Sequence, residues 1–182
     1  MNFSISNLIH SKKNIVLVGF MGSGKTSIGR ALAKKLNYLH IDTDKVIEKE
    51  KNMNISNIFD FYGENYFREL EQDIIIKIIN NNIKSVISLG GGSFLNIKIR
   101  ENIQKLCISV WLNADIDIIY DRISNSKNIR PVLSKLKNKS DLESLLNKRN
   151  LIYKEADIKI DINNLSKNSL IEKVFQDLRF NN

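Results

Sequence analysis

One cysteine, one proline and one tryptophan in 182 residues set the first limits on this chain. A single Cys107 cannot form an intrachain disulfide or a cysteine-based metal site. In the apolar run LCISVWL it reads as a small buried hydrophobe. No stretch of about 18 uncharged apolar residues exists to span a bilayer. The N-terminus lacks the charged-then-apolar order of a secretory signal, so a cytoplasmic protein is expected. No block of five or six like charges occurs, and the formal charge of +8 is spread along the sequence, which argues against a nucleic-acid partner. Linkers rich in Gly, Pro or Ser and internal repeats are also lacking, so residues 1–182 are expected to form one domain, with 1–11 as a loose extension. A chain of this length buries roughly 70% of the surface it exposes when unfolded.

Lys, Asn and Ile are abundant, a bias that an AT-rich coding sequence would produce. Lys outnumbers Arg by 21 to 7, so a generic solvated cation here is usually Lys. Each Arg is therefore informative where a planar fork must meet a carboxylate or phosphate.

Short β-branched runs alternate with longer segments of helical period. Strands are expected near Asn14–Val18, Tyr38–Ile41, Ser85–Leu89, Leu106–Leu112 and Ile158–Ile162, with near-continuous apolar character that fits cover on both faces. Helices are expected over Ser27–Leu36, with Ile28, Ala31, Leu32 and Leu36 on one stripe, and over Glu64–Asn80, with Phe67, Leu70, Ile74 and Ile78. Ser140 followed by Glu143 has capping-box spacing and predicts a helix start that continues to about Glu155, and a last helix is expected over Asn168–Leu178. The α/β alternation implies a three-layer αβα fold with a central five-stranded parallel sheet. The polar stretch 124–139, with Pro131, reads as a mobile surface segment.

The run Gly19-Phe20-Met21-Gly22-Ser23-Gly24-Lys25-Thr26 fits GxxxxGK[ST] between a strand and a helix. Such a loop directs successive N–H groups inward at a helix N-terminus and cradles phosphate. Gly22, Ser23, Gly24, Lys25, Thr26 and Ser27 are thus the expected nucleotide-binding residues, with Lys25 reaching the β- and γ-phosphates of ATP and the Thr26 hydroxyl on Mg²⁺. This motif alone does not separate a kinase from a GTPase switch or a motor, although no guanine-reading NKxD segment is found. After the second strand, IDTD places Asp42 and Asp44 at its carboxyl end, where ligands of open α/β sheets bind. In an extended segment both carboxylates would face one side. An ordinary acidic loop or a helix N-cap is the alternative for the same residues.

Taken in order, the phosphate loop, the DTD, FDFYGENYFRELE, the Gly90-Gly91-Gly92 triplet and RPVL make the chain similar to the shikimate kinase family over roughly Gly19–Ala156. The resemblance implies a P-loop kinase of the nucleoside-monophosphate-kinase-like fold, with segment 124–139 as a mobile lid. It implies transfer of phosphate from ATP to the 3-hydroxyl of shikimate, with Mg²⁺. By resemblance Asp44 binds and orients or deprotonates the acceptor hydroxyl, Asp42 holds Mg²⁺ through water, and Arg68 and Arg149 bind the acceptor carboxylate. Gly91 and Gly92 lie against the acceptor, and Arg130 is the lid arginine at the phosphates. Catalysis then falls to Lys25, Asp44 and Arg130. Arg68 could instead form only surface pairs with Glu64 and Glu71 at helical spacing. The family often carries an arginine seven residues before the lid arginine, for adenine; here Ile123 occupies that position, beside Arg122. A kinase for gluconate or a nucleoside monophosphate, or a nucleotide-binding module without turnover, remains as an alternative. His10, His40, Trp111 and the tyrosines are read as outside the chemistry, and with no heptad seam a monomer is expected.

Overall fold

The computed structural model describes residues 14–81, 83–125, 138–163 and 165–180. The expected N-terminal extension 1–11, Arg130 and most of the expected lid segment lie outside them. In chain order the elements are β1 (Asn14–Val18), α1 (Lys25–Leu36), β2 (Leu39–Asp42), α2 (Thr43–Lys51), α3 (Ile55–Ile79), β3 (Ser85–Ser88), a 3₁₀ turn (Ser93–Leu95), α4 (Ile97–Leu106), β4 (Cys107–Asn113), α5 (Ile116–Ser124), α6 (Lys139–Tyr153), β5 (Ile158–Asp161) and α7 (Lys167–Phe180).

All five strands pair in parallel, in the order β2-β3-β1-β4-β5. The three central strands are buried from end to end except for Asn113 at the close of β4, as their apolar runs require. The edge strands differ from the expectation of cover on both faces. β2 is only partly buried, and β5 alternates buried and exposed residues along IKID. An edge has one neighbour and less helix over it, so it can carry polar side chains.

Asparagine ends many of the helices. Asn37 and Asn52 close α1 and α2 in the left-handed region (φ 56° and 48°), the conformation that a short amide side chain tolerates better than most. Asn54, Asn96 and Asn138 open α3, α4 and α6, their side-chain oxygens accepting from backbone N–H groups of the first turn. The last of these corrects the expected start of α6. Asn138, not Ser140, is the cap, and its side chain accepts from the Asp141 N–H at 2.9 Å. Ala33, rather than the expected Ala31, joins Ile28 and Leu32 on the buried stripe of α1.

Two hydrophobic cores form among the described residues. The larger is built on both faces of the sheet, with Leu17, Val86, Val110, Leu32, Ile99 and Val174 among its fully buried members. The smaller gathers Ile47, Ile58, Phe67 and Ile74 between α2 and α3. α3 contributes to both, through Phe67 and Ile74 on one side and Ile75 and Ile79 on the other. Gly63, with φ 81° and ψ 170°, breaks its helical path just before Glu64, where the sequence pattern places a helix start. No helix among the described residues is long and apolar enough to cross a membrane.

Candidate active site

The carboxyl ends of three adjacent strands, β1, β3 and β2, open onto one cleft lined by Gly22, Gly24, Lys25, Thr26, Ser27, Asp42, Asp44, Leu89 and Gly91. The order reverses at β1, and such a reversal leaves a crevice between the loops that leave neighbouring strands.

The phosphate loop follows β1. Gly22 and Gly24 have φ of 83° and 91°, values that side chains with a Cβ rarely adopt, and Gly24 is the left-handed N-cap of α1. Among the described residues no side chain caps this helix, so its first N–H groups face the cleft with the positive end of the dipole. Lys25 is buried and donates from Nζ to the carbonyls of Gly19 (2.8 Å) and Phe20 (2.9 Å), inside its own loop. Ser23 is fully buried, and its Oγ finds no partner among the described residues. Arg122 of α5 donates from Nη1 to the Gly22 carbonyl at 2.9 Å, while Ile123 packs against the main core.

Asp42 and Asp44 reach the cleft by a route other than the expected one. Only Asp42 is extended; Thr43 already begins α2, and Asp44 lies in its first turn. Asp42 is the N-cap, accepting from the Lys45 N–H at 3.4 Å, so the alternative reading as a cap holds alongside its place in the cleft. Its other oxygen accepts from Thr26 Oγ1 at 2.7 Å. With its O–H directed at Asp42, the Thr26 hydroxyl keeps lone pairs for a cation. Hard oxygen donors of this kind suit Mg²⁺, which retains several waters and is held in part by phosphates.

Thr43, between the two acids, is fully buried and fastens them. Its hydroxyl donates to the Ser88 carbonyl (3.3 Å) and accepts from the Gly90 N–H (3.1 Å), tying α2 to the end of β3. Gly90 is then so close to Asp44 that a Cβ built on it would stand 2.6 Å from Oδ1.

Arg68 makes both of its helical pairs, to Glu71 (2.8 Å) and to Glu64 (3.3 Å). The first is not a surface pair, because Glu71 is 2% exposed and also accepts from Ser93 Oγ at 2.6 Å. The guanidinium lies 5.2 Å from the centre of Phe67 and 5.8 Å from that of Phe59, and against Gly92. A planar cation held by a buried carboxylate on one side and by rings on another is fixed in direction.

From the far side, α6 brings Arg149. It is buried over Phe20, 5.2 Å from the ring centre, and donates from Nη1 to the Gly91 carbonyl at 3.3 Å. Its Nε has no partner among the described residues, a buried donor that an incoming acceptor atom would satisfy. Tyr153, one turn later, donates its hydroxyl to the same carbonyl. His40 stands outside the cleft lining and contacts Ser88 Oγ at 3.1 Å; burial lowers its pKa.

The cleft lining therefore joins a phosphate loop with its lysine, a hydroxyl–carboxylate pair suited to a hard cation, and the Asp44 carboxylate, while Ser23, Gly92, Arg68 and Arg149 stand outside that lining, the two arginines against the glycine turn that borders it. The shikimate kinase family model matches residues 21–179. The chain belongs to the shikimate kinase family. Among its relatives, the shikimate kinase of Mesorhizobium japonicum is 40% identical over 81% of this chain and 72% of its own. That of Thermodesulfovibrio yellowstonii is 39% identical over 91% and 94%. A shikimate kinase structure from Acinetobacter baumannii, solved in complex with shikimate, superposes with a TM-score of 0.85 at 32% identity, covering 94% of this chain and 95% of that one. A gluconokinase structure from Sinorhizobium meliloti, at 17% identity and a TM-score of 0.57, shares the fold alone. As a shikimate kinase the chain is an ATP-using phosphotransferase.

Proposed function

We propose that this cleft transfers the γ-phosphoryl group of ATP to the 3-hydroxyl of shikimate, giving shikimate 3-phosphate and ADP, as a single-domain monomer in the cytoplasm. The observation that carries the reading is that Lys25 and Asp44, from separate elements, line one cleft with Gly91. Phosphoryl transfer asks the protein for position and charge rather than covalent chemistry.

Gly22, Ser23, Gly24 and Ser27 form the phosphate cradle. Lys25 moves its donors from the loop carbonyls to the phosphates and stabilises charge on the group in flight. Arg130, outside the described residues, adds a second cation there. Thr26 and, through water, Asp42 would hold Mg²⁺, which would supply charge neutralisation at the phosphate oxygens. Arg68 and Arg149 hold the acceptor carboxylate, Gly91 and Gly92 allow it to approach the backbone, and Asp44 orients the acceptor hydroxyl and takes its proton.

The test is ADP release with Mg²⁺ and ATP, offering shikimate, gluconate and a nucleoside monophosphate separately. Turnover with shikimate alone is expected. Tight ATP binding with no shikimate turnover would sink the acceptor assignment and leave the phosphate loop.

A related expectation concerns Gly90. In Gly90→Ala the added methyl meets Asp44 Oδ1 and, at 2.9 and 3.0 Å, Ser93 Oγ and Glu71 Oε1. Displacing a catalytic carboxylate by about an ångström lowers kcat/KM for shikimate by about 10²-fold. Steady-state kinetics with calorimetric ATP binding checks this, since ATP affinity should hold.

A further inference from the structure

We propose that Tyr153 is a positioning residue for acceptor choice, which satisfies the Gly91 carbonyl so that Arg149 is available to the acceptor's carboxylate. The inference rests on the reading of Arg149 given above.

Arg149 and Tyr153 are four residues apart on α6 and so share one face. Both are buried, and both direct a donor at the same oxygen, the Gly91 carbonyl. The hydroxyl donates to it, and the guanidinium donates to it at 3.3 Å. The ring packs in a tilted pair with Trp111, whose centre is 6.2 Å away. Burial pushes the phenol's pKa up to about 12, so it remains a donor throughout the working range of pH.

A carbonyl oxygen with a phenolic donor asks less of a neighbouring guanidinium; Arg149 also lies beside the phenol oxygen, and its Nε is the donor kept for an anion. The unpartnered Nε shows that the described residues do not exhaust this fork. Across the planar peptide that follows Gly91, the N–H of Gly92 points opposite to the carbonyl that Tyr153 holds. Gly92 lies against Arg68, so close that a Cβ added to it would stand 2.9 Å from Nη1, and the Tyr153 hydroxyl therefore also sets the peptide between the two arginines. Without it, Arg149 becomes the remaining side-chain donor to the Gly91 carbonyl among the described residues and is drawn onto it.

Tyr153→Phe removes one oxygen and leaves the ring packing. Equilibrium dissociation constants are to be measured for shikimate and for its uncharged carboxamide, together with ATP affinity and Tm. The variant should bind shikimate about tenfold more weakly. Carboxamide and ATP affinity should each stay within about twofold, with Tm within a few degrees. In an Arg149→Lys background the same change should have little further effect on shikimate, because the two residues act through one contact. Equal weakening of both ligands, unchanged shikimate binding, or full additivity with Arg149→Lys would each overturn the proposal. If the unmodified protein itself does not prefer shikimate to the carboxamide, the carboxylate role of Arg149 falls, and that is a separate failure.

Discussion

Lys25→Ala should lower kcat by about 10³-fold, the scale on which removal of one aligned charge-stabilising donor acts. The side chain is buried in the cleft, against the loop carbonyls of Gly19 and Phe20. Removing it takes one donor from those carbonyls but leaves the loop's own backbone bond from the Ser23 N–H to the Phe20 carbonyl (3.2 Å), so the loop should persist. The backbone N–H groups at the start of α1 also remain, and ATP should still bind, although more weakly. Coupled measurement of ADP release, with ATP binding by calorimetry, separates the two effects. A kcat within about tenfold of the unmodified enzyme would remove Lys25 from the chemistry.

The second large effect is expected at Asp44. Asparagine keeps the shape of the side chain and its capacity to accept a hydrogen bond but cannot take a proton. Asp44→Asn should therefore cut kcat by about 10²–10⁴-fold, the range for loss of a positioned general base. Shikimate binding should change far less if, as proposed, Arg68 and Arg149 supply the charge-assisted contacts. An unchanged kcat would show that the carboxylate only positions the hydroxyl. The comparison with Gly90→Ala is informative, since that variant retains the base and moves it.

Much of this architecture is legible in the residues, and the exceptions have physical causes. The buried strands announce themselves because a strand covered on both faces has no polar alternation to confuse it. The helix α2, TDKVIEKEK, does not announce itself in the same way. It is nine residues long and highly charged, and it buries only Thr43 and Ile47, so its apolar stripe is brief. α4 and α5 do carry an apolar stripe of helical period, but each is brief (10 and 9 residues) and lies next to a strand, so their bounds blur where apolar residues run on. For the DTD acids the expected meeting place is where the structure puts them, but an extended chain is the wrong reason; a strand end followed at once by a helical turn brings both to the cleft. Thr43, Glu71, Ser93 and Tyr153 carry no motif of their own. Thr43 and Glu71 are visible only as members of DTD and FRELE, and Tyr153 only as the residue four beyond Arg149. Their importance lies in what they touch across the fold, which spacing along one segment does not reveal.

The division of the hydrophobic interior into a large sheet-based core and a small one between α2 and α3 has a kinetic consequence. Free energies of local opening follow the amount of buried apolar contact, so the α2–α3 layer can loosen at a cost well below that of global unfolding. The phosphate loop springs from β1, the centre of the sheet, and shares the rigidity of the larger core. Asp44 and Arg68 ride on the looser layer. Amide exchange across Ile47–Ile74 should accordingly outpace that of Val16–Val18. On the proposed assignment of residues, ATP would meet the part of the site built on the larger core and the acceptor the part built on the smaller one.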